Sequence, residues 1–304
     1  MSDTEAEPQH FGSRLSSAVR RVGVPLAMGI DPHLDRLPAP LRARYEDGGE
    51  GWRARAAEAV TEFAEVALDA AQGRVAAVKP QFAFFEQLGS PGWAALEAVC
   101  QMAKARDLLI IGDAKRGDIS STAAAYARAI LDPEGPLGCD SLTVNPWMGS
   151  DTITPYLDLC RNHGRGLFVL VRTTNPGSAE LQHHGQPLGS HVVADFVHRL
   201  GQDTVGPCGT SSLGAVVGAT VAQDAQTLRG RMPQAWFLVP GVGAQGGSAA
   251  QALAGAREDG LGALPVASRS LLFPRSESFD ESPGPCIEAA ISELSTALRA
   301  VWTA

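Results

Sequence analysis

Apolar residues occur along the chain in short, nearly continuous runs, and each run ends at a polar or glycine-containing turn. Runs that are apolar throughout, rather than alternating with polar residues, are typical of strands covered on both faces in a parallel sheet. The sequence therefore predicts eight buried strands. They cover residues 25–30, 75–78, 108–112, 141–144, 167–171, 214–219, 236–239 and 263–267.

Longer segments with apolar residues at helical intervals separate these runs. Residues 53–72 are rich in Ala, Glu and Leu, which lose little side-chain freedom in a helix, and Gly73 favours a helix end there. Helices are also predicted over residues 151–163 and 248–259, because both segments end in a polar turn that contains glycine.

Eight alternating strand and helix units within about 250 residues are the usual content of a single (βα)8 barrel, an α/β fold. An open doubly wound sheet is the competing fold, and the number of units does not exclude it. We predict that residues 1–304 form one barrel domain with a short N-terminal extension. Residues 172–190 and 275–285 are rich in Gly, Pro, Ser and His, so both are predicted to be surface loops.

Composition limits the classes of function. The chain has 304 residues, of which 44% are hydrophobic, which is enough to fill a sizeable core. Its 25 basic and 33 acidic residues give a net charge of -8, so binding to nucleic acid is not expected.

The five cysteines are widely spaced, which indicates reduced thiols rather than disulfides or a zinc site. The acidic N-terminal segment differs from a signal peptide, and no apolar run approaches the roughly 18 residues that span a bilayer. We therefore expect a cytoplasmic protein that does not bind membranes.

Charged residues follow the second and third predicted strands. Lys79 ends the second strand, Asp113 and Lys115 follow the third, and Asp118 comes three residues later. Strand residues alternate between faces, so Asp113 and Lys115 should point the same way. Interleaved lysines and carboxylates would keep Lys115 protonated, as a proton donor to a carbanion must be. An ordinary ion-pair cluster at a helix start is the alternative interpretation.

A glycine-rich turn, GVGAQGG at residues 241–247, follows the seventh predicted strand, and Arg269 follows the eighth. Barrels commonly bind phosphate at these two places, because glycines let backbone N–H groups approach an anion and arginine offers paired donors. Three of the glycines also match the G-x-G-x-x-G dinucleotide motif. That motif requires an acid about 20 residues further on, where this sequence has Ala267 and Arg269. We therefore predict a phosphate site.

The string DAKRGDI at residues 113–119 resembles the D-x-K-x-x-D signature of the orotidine 5′-monophosphate decarboxylase family. Lys79, in AVKPQFAFFEQLG, is similar to the separate lysine of that family, and GIDPHLDRLP, VNPWMGSD and RTTNPGS resemble segments of its longer bacterial form. The resemblance extends from Asp31 to Arg269. It implies a lyase that needs no cofactor or metal and converts orotidine 5′-monophosphate to uridine 5′-monophosphate in de novo pyrimidine synthesis.

The resemblance also implies roles for the catalytic residues. Lys115 would protonate the developing carbanion, Asp113 would lie close to the departing carboxylate, and Lys79 would bridge a ribose hydroxyl and the aspartates. Asp118, the fourth catalytic residue, and Thr122 would reach across a dimer interface into the site of the neighbouring subunit. A homodimer is therefore expected.

Four further residues are expected to bind the substrate. By resemblance, Asp31 would contact the ribose hydroxyls, while Gln245 and Arg269 would hold the phosphate. Asn145 would contact the pyrimidine edge. A structural turn is the alternative for Asn145 because Pro146 follows it, and an N-cap is the alternative for Asp31.

Two other functions are compatible with this pattern. One is a related magnesium-dependent sugar-phosphate decarboxylase or aldol-type lyase, which shares D-x-K-x-x-D and would be sensitive to a chelator. The other is a non-catalytic nucleotide-binding barrel, in which the phosphate site is real and the charged cluster is only structural. Replacing Lys115 with alanine would leave the function of such a binding protein intact.

Overall fold

The computed structural model describes residues 10–243 and 246–302. Eight strands form a closed barrel in which each strand pairs in parallel with the next and the eighth pairs with the first. The predicted (βα)8 barrel is therefore confirmed, and the open doubly wound sheet is excluded. The strands are β1 (Ala27–Ile30), β2 (Ala77–Pro80), β3 (Leu109–Arg116), β4 (Ser141–Val144), β5 (Gly166–Arg172), β6 (Leu213–Val217), β7 (Phe237–Pro240) and β8 (Ala263–Ala267).

Helices follow every strand along the chain. α3 packs against both α5 and α13, and it buries Ala56, Val60 and Phe63 at helical spacing. Among the described residues, no helix is both long and apolar enough to cross a membrane. The helices are α1 (Phe11–Val22), α2 (Ala39–Arg42), α3 (Trp52–Ala71), α4 (Ala83–Glu86), α5 (Ser90–Ala105), α6 (Ser120–Leu131), α7 (Thr154–His163), α8 (Ala179–Gln182), α9 (Gly189–Gly201), α10 (Ala222–Arg231), α11 (Ala249–Ala252), α12 (Arg269–Leu272) and α13 (Pro283–Arg299).

Helix α1 covers the end of the barrel at which the strands begin. Phe11 is 1% exposed and meets the ring of Phe168 edge to face, with ring centroids 6.0 Å apart. The helix approaches β5 so closely that a Cβ added at Gly166 would lie 2.2 Å from the Phe11 ring. The first residue of β5 must therefore be glycine, and this end of the barrel is filled with side chains.

Several element boundaries differ from the sequence-based predictions, most clearly at β3 and after α11. Strand β3 continues to Arg116, four residues beyond the predicted end at 112, so Asp113 and Lys115 lie within the strand. The predicted helix over 248–259 is wrong beyond Ala252. Gly255, a poor helix former, packs against the ring of Phe237, where a Cβ would come within 2.7 Å.

Candidate active site

Asp113 is the centre of a hydrogen-bonded cluster at the carboxyl end of the barrel. The residue is 6% exposed. Lys79 Nζ donates to Asp113 Oδ2 at 2.6 Å, and Lys115 Nζ donates to Asp113 Oδ1 at 2.6 Å. The structure thus brings together three of the four residues predicted to be catalytic, with one carboxylate between two ammonium groups.

The two buried members of this cluster keep each other charged. Burial by itself would raise the pKa of Asp113, but the attraction of Lys79 and Lys115 and their hydrogen bonds hold it well below its usual value. Burial would lower the pKa of Lys79, but the attraction of Asp113 and Asp31 raises it overall. Both residues are therefore ionised throughout the neutral pH range.

Two uncharged residues that the sequence analysis missed complete the hydrogen bonding of Asp113. Thr143 Oγ1, on β4, donates to Asp113 Oδ1 at 2.9 Å, and Gln81 Nε2 donates to Oδ2 at 2.8 Å. Each carboxylate oxygen therefore receives one lysine and one neutral donor. The available signal for Thr143 was its position as a polar residue between Leu142 and Val144, near the end of a strand that follows the charged one.

The backbone at Lys115 adopts a conformation that L-residues rarely occupy. Its φ is +48°, and the pairing register between β3 and β4 shifts between Gly112 and Arg116. The backbone N–H of Lys115 donates to Thr143 Oγ1 at 3.0 Å, which helps to hold this conformation. Such strain costs roughly 1–2 kcal/mol and is often found at functional sites. The Lys115 side chain is 45% exposed, compared with 6% for Lys79, so Lys115 is the more accessible ammonium.

A cavity of about 350 Å³ connects this cluster to the predicted phosphate site. It is lined by Asp31, Lys79 and Lys115 and also by Gly241 and Arg269. Asp31 Oδ1 is buried, has no hydrogen-bond partner among the described residues and lies 3.9 Å from Lys79 Nζ. A buried acceptor of this kind can receive a hydrogen bond from a ligand hydroxyl.

The turn after β7 lies at the end of the cavity where the sequence predicts a phosphate site. Gly243 has a φ of +74°, and a Cβ added there would lie 3.2 Å from Ser270 Oγ, so glycine fits this position best. The Gly243 N–H donates to the Gly247 carbonyl at 3.1 Å, which closes the turn. Arg269 has no carboxylate within 4.0 Å in the described part of the chain. Gln245, the other predicted phosphate ligand, lies outside the described residues.

Three predicted site residues do not line this cavity. Asp118 Oδ1 accepts a hydrogen bond from the Ile119 N–H at 2.7 Å, and Thr122 is exposed on α6. Asn145 Oδ1 accepts from the Trp147 N–H at 3.0 Å, which is the contact expected of a turn residue. Asn145 lines a neighbouring cavity of about 710 Å³, which Lys115 also lines.

The segment after β5, predicted only as a loop, is attached to the barrel through Arg172. This arginine is 8% exposed and donates to Asp224 Oδ2 at 2.7 Å, to Ser178 Oγ at 2.8 Å and to the Thr173 carbonyl at 2.6 Å. Thr173 and Asn175 line the active-site cavity. Arg172 therefore holds this segment in place beside the charged cluster.

Comparisons with known proteins agree with this geometry. A family model described as the orotidine 5′-phosphate decarboxylase / HUMPS family matches residues 26–273. The orotidine 5′-phosphate decarboxylase of Rhodopirellula baltica is 41% identical over 270 residues, which are 86% of this chain and 88% of that protein. The enzyme of the same name from Streptomyces coelicolor is 42% identical over 243 residues, which cover 79% of this chain and 81% of that protein.

A solved structure supports the same conclusion. The OMP decarboxylase of Leishmania donovani superimposes with a TM-score of 0.72 at 31% sequence identity, and the match covers 96% of this chain and 98% of that one. The family model matches well over half of the chain, and the relatives exceed 30% identity over most of their length. This chain belongs to the orotidine 5′-phosphate decarboxylase / HUMPS family.

Proposed function

We propose that this protein decarboxylates orotidine 5′-monophosphate to uridine 5′-monophosphate and carbon dioxide. The observation that carries the proposal is the position of Asp113 between two ammonium groups in the same cavity as the Gly241 turn and Arg269. One end of this cavity can accept a phosphate, and the other can stabilise negative charge on carbon. The relatives at 33–43% identity all carry the name of this enzyme.

In the proposed reaction, the bond between the pyrimidine ring and its carboxylate breaks, and the electron pair stays on the ring carbon. Carbon dioxide leaves, and Lys115 Nζ delivers a proton to that carbon. The ammonium stabilises the developing charge before it transfers the proton, which requires that it be held in place in advance. Asp113 and the strained backbone of Lys115 provide this positioning. The neutral amine then regains a proton from solvent.

The rest of the cavity would hold the nucleotide. Asp31 Oδ1 and Lys79 Nζ would contact the ribose hydroxyls, since Asp31 has a buried acceptor that no described residue uses. The Gly243 turn, Gln245 and Arg269 would bind the phosphate. Binding energy from the phosphate, remote from the reacting carbon, would be used to align the ring with Lys115.

The magnesium-dependent alternative is disfavoured by the hydrogen bonding of Asp113. Both of its oxygens already accept from a lysine and from a neutral donor, so a cation would have to displace an ammonium to reach them. Within residues 10–243 and 246–302, no three His, Cys, Asp or Glu side chains are grouped to hold a metal ion. Activity is therefore expected to be insensitive to EDTA.

The test is the ultraviolet absorbance change of orotidylate with purified protein and excess EDTA. The wild type should consume orotidylate, and Lys115→Ala should lower kcat about 10⁴-fold while uridine 5′-monophosphate still binds in calorimetry. Lys104→Ala, which removes an exposed lysine on α5, is the matched control and should be fully active. A flat trace with the wild type would refute the proposed activity, and normal turnover by Lys115→Ala would refute the role of Lys115.

We also propose that two copies of the chain form a dimer in which Asp118 and Thr122 complete the site of the neighbouring subunit. Both residues lie away from the cavity of their own chain. Ile119 directly follows Asp118 in the chain, and Trp147 lines the neighbouring cavity that Lys115 also lines. These two large apolar side chains are 54% and 72% exposed. A dimer interface that covered these two side chains would remove apolar surface from water, which favours association. We propose in addition that the protein is located in the cytoplasm.

Mixing two inactive variants tests the shared site. Lys115→Ala and Asp118→Ala homodimers should each be nearly inactive. After subunit exchange, a mixed dimer has one site with an intact lysine of its own and an intact aspartate from its neighbour. A 1:1 mixture should therefore recover about a quarter of the wild-type activity. No recovery, with mixed dimers demonstrated by mass spectrometry, would show that Asp118 acts within its own chain, and a fully active Asp118→Ala homodimer would show that Asp118 has no role in turnover.

A further inference from the structure

A second cavity, of about 530 Å³, lies beside the phosphate end of the active-site cavity. Arg269 lines both cavities, so the two are adjacent. The second cavity is also lined by Arg36, which precedes α2, and by Arg275, which follows α12. Three guanidinium groups therefore line one cavity in a chain whose net charge is -8.

These three arginines are free to bind a ligand. Among the residues that the structure describes, no carboxylate lies within 4.0 Å of the guanidinium groups of Arg36, Arg269 and Arg275. These groups also donate no hydrogen bond to any described residue. Most other arginines of the chain form such contacts; Arg172 is one example. Glu293 is the one acidic residue that lines the cavity, so the lining retains an excess of positive charge.

A buried hydroxyl links the second cavity to the phosphate turn. Ser270 Oγ is buried without a hydrogen-bond partner among the described residues, and Ser270 lines the second cavity. The same oxygen lies 3.2 Å from the position that a Cβ on Gly243 would occupy. A buried polar atom without a partner requires an explanation. An anion that binds there and accepts a hydrogen bond from the Ser270 hydroxyl would provide that partner.

We propose that the second cavity binds a second phosphoryl group, next to the phosphate held by the Gly243 turn and Arg269. The inference rests on the proposed function, because it takes the first phosphate to be that of the nucleotide. Arg36 and Arg275 would contact the second group, since guanidinium groups offer paired donors that match phosphate oxygens. The group could be the β-phosphate of a nucleoside 5′-diphosphate or a free inorganic anion.

If the second phosphoryl group is the β-phosphate of a nucleoside 5′-diphosphate, the second cavity would make that nucleotide an inhibitor of the enzyme. A nucleoside 5′-diphosphate with the base and ribose of the product would occupy the substrate site and the second cavity together. The reaction class that supplies such a ligand is phosphoryl transfer onto the monophosphate that this enzyme releases. The diphosphate would therefore compete with the substrate more strongly than the monophosphate product does.

Inhibition by uridine 5′-monophosphate and uridine 5′-diphosphate tests the proposal. The diphosphate should inhibit the wild type about tenfold more tightly, which corresponds to one or two charge-assisted contacts. Arg36→Gln and Arg275→Gln should each weaken inhibition by the diphosphate about three- to tenfold and leave KM for orotidylate and inhibition by the monophosphate unchanged. Arg42→Gln, which removes a nearby arginine already paired with Glu46, is the control for general charge effects and should change neither.

Inorganic pyrophosphate separates the two sources of the second group. If the ligand is a free anion, pyrophosphate should bind in calorimetry to the wild type saturated with uridine 5′-monophosphate, and Arg275→Gln should abolish that binding. The inference is overturned if the diphosphate inhibits no better than the monophosphate and pyrophosphate does not bind beside it. If the protein neither consumes orotidylate nor binds the monophosphate, the proposed function fails. Pyrophosphate binding to the wild type and to Arg275→Gln would then still decide whether the second cavity is an anion site.

Discussion

Thr143→Val should reduce catalysis without removing any group that carries charge. Thr143 is 1% exposed on β4, and its hydroxyl both donates to Asp113 Oδ1 at 2.9 Å and accepts the Lys115 N–H at 3.0 Å. Valine has nearly the same shape as threonine, so the substitution creates no cavity. It removes the one hydroxyl that joins the carboxylate to the strained backbone beside it.

The size of the effect follows from these two contacts. A hydrogen bond to a charged group contributes about 1.5–3 kcal/mol. If that whole amount appears in the activation free energy, kcat falls about 10- to 150-fold, because each 1.4 kcal/mol is about a factor of ten. KM should change little, because both contacts of the Thr143 hydroxyl are to protein groups. Thr143→Ser keeps the hydroxyl and should stay within about threefold of the wild type.

The assay is steady-state decarboxylation followed by ultraviolet absorbance, with unfolding by urea measured on the same preparations. Thr152→Val is the matched control, because Thr152 is equally buried and its hydroxyl donates to the Gly149 carbonyl outside the cavity. It should lower the free energy of unfolding by about 1 kcal/mol and leave kcat unchanged. A kcat of Thr143→Val within twofold of the wild type would contradict this role of the hydroxyl, because Lys115 would then not depend on Thr143 for its position.

Three further substitutions test other parts of the site. Asp113→Asn should lower the free energy of unfolding by about 3–5 kcal/mol at pH 7, because it removes the one carboxylate that is hydrogen-bonded to the buried Lys79 and leaves only Asp31, at 3.9 Å. The pKa of Asp113 is lower in the folded than in the unfolded state, so the ionised carboxylate stabilises the fold at every pH above the unfolded value near 4. This stabilisation is lost as the pH falls further. Melting curves of the wild type and Asp113→Asn should therefore converge only below about pH 4. The ammonium group of a lysine cannot reproduce the three hydrogen bonds that the planar guanidinium of Arg172 donates. Arg172→Lys should therefore raise KM several-fold with a small change in kcat, as measured by initial rates. Gly243→Ala should cost about 1–2 kcal/mol at the phosphate turn, which predicts a roughly five- to thirtyfold rise in KM with kcat preserved, and an unchanged KM would argue against a phosphate there.

The barrel could be predicted from the sequence because its strands are covered on both faces. Each buried parallel strand is a short apolar run, and the polar turn after it marks the carboxyl end at which barrels bind their ligands. Lys79 and Asp113 could be identified for the same reason, since they are charged residues directly after or within such runs. Gln81 was missed because it is uncharged, and only the fold shows that it pairs with Asp113 across β2 and β3.

The contact between Lys115 and Asp113 was predicted from the alternation of side chains along a strand, but the structure forms it in another way. Strict alternation requires extended backbone at Lys115, whereas its φ is +48° and the register to β4 shifts at that point. Lys115 Nζ nevertheless reaches Asp113 Oδ1, because the Thr143 hydroxyl on the neighbouring strand binds both the Lys115 N–H and the carboxylate. The position of Lys115, the proposed proton donor, thus depends on the pairing of β3 with β4. Pairing register is a tertiary property, so local spacing could indicate which residues meet but not the strained backbone that brings them together.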